Sequence, residues 1–405
     1  MAFRLALSGL NAASADLSVT ANNIANTATT GFKGSRAEFA EVFSVSGQGV
    51  SSTAIGNGTK VAAVAQKFTQ GNINFTNQSL DMAISGQGFF MLSQQGALAY
   101  TRAGAFQLDR DGYVVNSNNL RLQVYPPTDQ GAFNTGALSD LRLVSSESAP
   151  AATSKVAMTL NLPANASVPP NSPFDATNPN SYNQSTSMTV YDSLGAAHTA
   201  TTYFTKTAHP NEWQQQLYID GTSAGPTQLL QFSATGAITA PPNGQINFPA
   251  FTPGTGAAPL TLQYDFSGAT QYGGAFSVNS ISQDGYTTGT LIGINTDTSG
   301  VVQARFTNGV SKKLGQVALA NFSNPNGLQQ LGDTNWAETF ASGQPLKGQA
   351  GTSGLGNIQS GALEASNVDM TEQLVNMITA QRDFQANAQV ISVSDQITQT
   401  IINIR

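Results

Sequence analysis

Cysteine is absent from all 405 residues, which excludes disulfides, zinc thiolates and thiol nucleophiles together. Charge is scarce. Charged residues make up 10% of the chain, against about a quarter in an ordinary globular protein. The net charge of −6 comes without a basic cluster, which excludes nucleic acid, because backbone binding needs several Lys or Arg to neutralise phosphates. Apolar runs are short as well: none approaches the roughly 18 residues that span a bilayer, so no membrane insertion is expected. The opening segment that begins Met1 to Leu10 has any apolar run interrupted by Ser8, Gly9, Asn11, Ser14 and Asp16, so it does not read as a cleavable signal.

Catalytic chemistry is equally thin. Only two histidines occur, His198 and His209, in the proline-rich middle, and they read as solvated loop residues without a metal. Asn295-x-Asp297-x-Ser299-Gly300 has the start of a calcium loop. Its twelfth position is Phe306 instead of a carboxylate, so a hairpin turn is the better reading. Gly86-x-Gly88 and Gly354-x-Gly356 lack the third glycine and the strand-to-helix context of a dinucleotide site. With two histidines and no elbow motif, no Ser-His-Asp arrangement can be built. No catalytic, cofactor-binding or metal residue is assigned, and the chain reads as a non-enzyme.

What is present is organised by proline. None occurs before Pro126, fifteen of the seventeen lie between Pro126 and Pro259, and only Pro325 and Pro345 follow. Proline breaks helix interiors and cannot donate to a sheet ladder, so two proline-poor ends flank a loop-rich middle. At the start, Phe3, Leu10, Leu17 and Ile24 recur every seven residues, with Leu7 beside them. That spacing lays the side chains along one narrow stripe, as in a coiled-coil seam. At the end, Met370, Met377, Phe384 and Ile391 do the same, with Leu374 alongside and Ile397 and Ile401 extending the line. Asp369 with Glu372 predicts the helix start. Between the ends the pattern alternates: Val156, Met158, Leu160 and Leu162, then Leu260, Leu262, Tyr264 and Phe266, predict half-buried strands. Trp213 and Trp336 are expected in β cores.

The expected fold is therefore mainly β with α-helical termini. Discontinuous β domains would stack outward from a coiled-coil-like pair of N- and C-terminal helices. The boundaries drawn are 1–30 with 366–405 for the helical assembly domain, 31–70 with 355–365 for a linker, 71–144 with 284–354 for an inner β domain, and 145–283 for an inserted outer β domain. A narrow stripe on each helix leaves apolar surface uncovered by a two-helix pair. Either neighbouring copies cover it, or both helices pack on the chain's own β domain.

Longer motifs stand at both ends. They are Ser8-Gly9-Leu10-Asn11-Ala12-Ala13, Asn22-Asn23-Ile24-Ala25-Asn26 and Thr30-Gly31-Phe32-Lys33. Then come Leu80-Asp81-Met82-Ala83-Ile84-Ser85-Gly86-Gln87-Gly88-Phe89-Phe90, Tyr100 to Phe106, and Gly361-Ala362-Leu363-Glu364-Ala365-Ser366-Asn367-Val368-Asp369 with Gln381-Arg382. In this order they resemble the signatures of the flagellar rod and hook family. The insertion at 145–283 and the stretch from Leu314 to Phe322 resemble its longer, hook-type members, the alternative being a distal rod subunit. The resemblance implies an extracellular structural subunit that self-assembles into a curved helical tube, a flexible universal joint between rod and filament. It implies the partners too: further copies of itself, the distal rod protein, a hook cap protein, hook-filament junction proteins and the flagellar type III export apparatus. A carbohydrate-binding or adhesin-like β protein would explain the Thr- and Asn-rich middle, but not heptad helices at both ends.

Overall fold

The computed structural model describes residues 2–42, 56–94, 96–128, 131–143 and 147–403. Two helices stand at the termini, α1 (Ala2–Ala25) and α2 (Met370–Asn403), and the described residues between them form strands, turns, short 3-10 helices and irregular connections. The chain divides into two units: residues 1–144, 293–305 and 311–405 form the first, and 145–292 with 306–310 the second.

In the first unit, α2 starts where its sequence predicts. The Asp369 carboxylate accepts from the amides of Thr371 at 2.7 Å and Glu372 at 3.1 Å, satisfying two helix-start donors that would otherwise lack a partner. The chain leaves α1 through a turn ending at Gly31, whose φ is 68°. A Cβ there would meet the Ala103 backbone nitrogen at 2.5 Å, so only glycine fits. Within the stretch read as a linker, β1 (Ser35–Glu41) and β2 (Thr59–Gln66) pair antiparallel with a bulge at Glu38/Phe39.

The body of the first unit is a largely antiparallel sheet. Ser311–Asn321 pairs with Arg121–Tyr125 and Phe89–Gln94, which continues through Ala97–Thr101 and Asn335–Ala337 to Gln329–Gly332. Successive side chains of a strand point to opposite faces, and here both faces are covered. Phe90, Leu92, Val317 and Leu319 enter one core; Phe89, Met91, Ala318 and Ala320 enter another with Tyr100, Phe322 and Trp336. Full burial of each large apolar side chain contributes about 1.5–3 kcal/mol. Edge-to-face rings tighten the second core, with Tyr100 and Phe322 centroids at 4.8 Å and Phe89 and Trp336 at 5.7 Å.

The second unit contains two sheets. One runs Gln184–Tyr191, Ala197–Lys206, Glu212–Ile219, Gln228–Phe232 and Ile238–Ala240; the other is built around Lys155–Pro163. Val156, Met158, Leu160 and Leu162 face a core shared with Phe204, Trp213 and Leu217 of the first sheet and with Leu262, Tyr264 and Phe266. Among the described residues, no helix is long and apolar enough to cross a membrane.

Candidate assembly site

The two terminal helices meet along small and polar residues. Ala6, Ala13, Thr20 and Asn23 of α1 are buried, as are Gln373 and Ala380 of α2. A Cβ at Gly9 would collide with the Asn387 side chain, so glycine sets the closest approach of the pair. Asn23 ties the contact together. Its amide donates to Gln373 Oε1 at 3.0 Å and to the Ser35 carbonyl at 2.7 Å, and its oxygen accepts from the Ser35 amide. Burial, and then the Asp383 carboxylate, push the Asp16 carboxyl up from its ordinary value.

The large heptad residues are less buried than these small and polar ones. Phe3, Leu7, Met370, Leu374 and Ile397 are exposed, while Leu10, Leu17, Ile24, Met377, Phe384 and Ile391 are half-buried. The side chain of Ile401 lies outside the described residues. The heptad count also missed Val375, Ile378, Val390, Val393 and Ile402, all exposed on α2, because they fall off the seven-residue stripe. It missed the buried small and polar positions for a different reason: Ala, Thr, Asn and Gln do not stand out in a count of large apolar side chains.

The motif residues converge on a buried polar knot at the base of the helices. Lys33 Nζ donates to Glu364 Oε1 at 2.6 Å and to the Thr69 carbonyl at 2.8 Å. Arg102 donates to Glu364 Oε2 at 3.1 Å and to the Gly86 carbonyl at 2.8 Å. The Gly71 amide adds a third donor to the same carboxylate at 2.9 Å. Burial pushes the Lys33 ammonium and Arg102 guanidinium below their ordinary values, and Glu364 pulls both back. Around the knot, Asn367 accepts from the Gly34 amide and donates to the Lys67 and Thr69 carbonyls. Gly361 donates to the Asp81 carbonyl and accepts from the Thr76 amide, while the Asp81 carboxylate accepts from the Thr76 hydroxyl at 2.7 Å. Asn26 bonds back to Asn22, Phe32 is half-buried beside Lys33, and Gly88, at a φ of 120°, leads into Phe89 and Phe90. The knot joins the exit of α1, the sheet and the entry to α2.

One expectation from the sequence fails. His198 is not a solvated loop residue: it lies buried on the strand Ala197–Lys206, with Nδ1 2.6 Å from Asp220 Oδ2 and Nε2 3.2 Å from Asp192 Oδ2. Hairpin folding brings in two carboxylates that stand six and 22 residues away in sequence. Burial disfavours the imidazolium, but hydrogen bonds to Asp220 and Asp192 outweigh it and raise the pKa. Burial also works to raise Asp192, yet bonds from Thr255, the Ala196 amide and His198 hold its carboxyl at about 2. His209 is exposed, as read. Among the described residues no group of three or more His, Asp or Glu could hold a metal ion.

Comparison with known proteins agrees with the placement of the motifs. Family models match in chain order: "Flagella basal body rod protein" over 3–33, "Flagellar hook protein FlgE/F/G D1 domain" over 83–170, "Flagellar basal body protein FlaE D2 domain" over 161–286 and "Flagellar basal body rod FlgEFG protein C-terminal" over 359–404. The chain is 40% identical to the flagellar hook protein FlgE of Escherichia coli K12, with 100% of both chains covered. It is 33% identical to that of Borreliella burgdorferi, over 98% of each. The crystal structure of the Helicobacter pylori flagellar hook protein FlgE2 aligns with a TM-score of 0.55 at 17% identity, covering 72% of this chain and 100% of that one, a likeness of fold.

Proposed function

Because this chain belongs to the flagellar hook protein family, and so is a structural subunit that polymerises into the hook outside the cell and connects to the rod, we propose that the open apolar flanks of α1 and α2 are its assembly surface. One observation carries this reading: the helices bury alanine, threonine and amide side chains against each other while their leucine, isoleucine, valine, methionine and phenylalanine side chains stay wholly or partly open. Ten large apolar side chains on the two helices are exposed. Covering the open half of each is worth about 1 kcal/mol, or about 10 kcal/mol per subunit, at roughly 25 cal/mol per Å2. That is comparable to the cost of about 4–15 kcal/mol for immobilising a subunit. Contact of a flank with a different patch of the next copy, at a rotation that does not close, gives the open helix that a tube requires.

Bending follows from the rest of the surface. With 10% charged residues, neighbouring β units meet through neutral polar groups that slide without breaking strong ion pairs as the curved tube turns. The full-length match to hook proteins across the middle block supports the hook over a straight rod subunit. The distal rod protein would then seat the first copies, a hook cap protein would guide addition, hook-filament junction proteins would follow distally, and the type III export apparatus would deliver the subunits. Electron microscopy of concentrated protein with and without residues 1–25 and 370–405 tests the assembly surface. Tubes from the full-length form only are expected, and tubes from the truncated form would defeat the reading.

A further inference from the structure

A tube wall needs at least two independent contact directions per subunit, because one repeating contact makes only a single-file helix. Resting on the reading that the terminal helices supply one, we propose that Phe340 is an intersubunit anchor for a second, received by another copy of this chain. Phe340 is the most exposed large apolar side chain among the described residues, at 105% of its reference accessibility. The turn that carries it is braced by hydrogen bonds. Thr339 Oγ1 donates to the Gly327 carbonyl at 2.5 Å and accepts from the amides of Ala341 and Ser342. The Ser342 hydroxyl, fully buried, bonds back to the Thr339 carbonyl at 2.8 Å, and Asn324 holds the Ala341 carbonyl at 3.0 Å. A turn braced this way keeps the ring displayed to solvent, and little backbone freedom is lost when it docks, as in preorganised anchors.

The chemistry of the tip selects the occupant. From Thr339 to Pro345 the turn carries no charge, and the adjoining Glu338, although exposed, has its carboxylate engaged by the Tyr100 hydroxyl at 2.9 Å. A neutral, apolar tip fits a neutral receiving surface, and the chain's own surface, with 10% charged residues overall, is one. Lipid headgroups and nucleic acid would need charge that this turn lacks.

The test places a photoreactive benzoylphenylalanine at position 340 and, separately, at position 378 on α2, and illuminates assembled hooks. Position 340 is expected to yield an adduct between two copies of this chain. An adduct to a different protein, or none while position 378 yields the dimer, overturns the anchor and leaves the helix reading intact. A dimer from 340 but not from 378 does the reverse. In parallel, Phe340→Ala should raise the critical concentration for polymerisation about tenfold, Phe340→Trp should stay within about threefold of the native chain, and neither should move the monomer's thermal midpoint. Native polymerisation by Phe340→Ala would also overturn it.

Discussion

Replacing Glu364 with glutamine keeps the shape of the side chain and removes the charge on which the buried knot depends. Glu364 is fully buried and accepts from Lys33 at 2.6 Å, Arg102 at 3.1 Å and the Gly71 amide at 2.9 Å. A neutral amide presents one acceptor oxygen, turns an NH2 group toward a cation, and leaves two buried cations without a counter-charge. Breaking a buried ion pair from one side costs about 3–5 kcal/mol, a large share of the roughly 5–15 kcal/mol that stabilises a domain. The chain's two tryptophans make the assay selective: with Trp213→Phe as background, Trp336 reports on the first unit. Urea unfolding followed by Trp336 fluorescence should show Glu364→Gln shifted by about 3–5 kcal/mol. The triple variant Lys33→Met, Arg102→Leu, Glu364→Leu should recover only part of this. It removes the charges but strands the Thr69 and Gly86 carbonyls and the Gly71 amide. A loss below about 1 kcal/mol for Glu364→Gln would refute the knot as the tie between helices and sheet.

The second unit should respond to pH through His198. Its folded pKa lies above the ordinary 6.5, so its contribution is complete below that value and fades as pH climbs through the folded one; His198→Gln should abolish the alkaline decline in thermal midpoint. The Asp192 carboxyl, at about 2 against an ordinary 3.8, contributes above 3.8 and loses that contribution as pH falls toward 2, so Asp192→Asn should flatten the acid limb. Gly104→Ala would drive its Cβ into the Met82 carbonyl, against a backbone fixed by the Met82 amide bond to Gly104 at 3.0 Å, and should cost about 3 kcal/mol or more by urea titration. Asp369→Ala removes two amide acceptances at the start of α2 and should cost about 1 kcal/mol, read as helical circular dichroism lost at a lower temperature.

Much of the architecture was legible because it rests on periodicity. Val156, Met158, Leu160 and Leu162 alternate in the sequence and all four are buried; Asp369 announces α2 by cap chemistry. The heptads located both helices but did not mark their tightest approach, which selects Gly9, Ala13 and Ala380, side chains too small to stand out in a count of large apolar residues. Long-range polar contacts were illegible for a simpler reason. Lys33 and Glu364 are 331 residues apart and Arg102 and Glu364 are 262 apart, so nothing local reveals that they share one carboxylate. His198 was misread because its partners arrive only when hairpins close, and proline density marks where loops lie, not which strand a histidine joins.

The absence of cysteine allows burial of the helix flanks to be measured at one atom. A single Leu374→Cys should react quickly with maleimide in the monomer, where Leu374 is exposed, and more than about tenfold more slowly in assembled hooks, if a neighbour covers the flank. Equal rates in monomer and hook would contradict it.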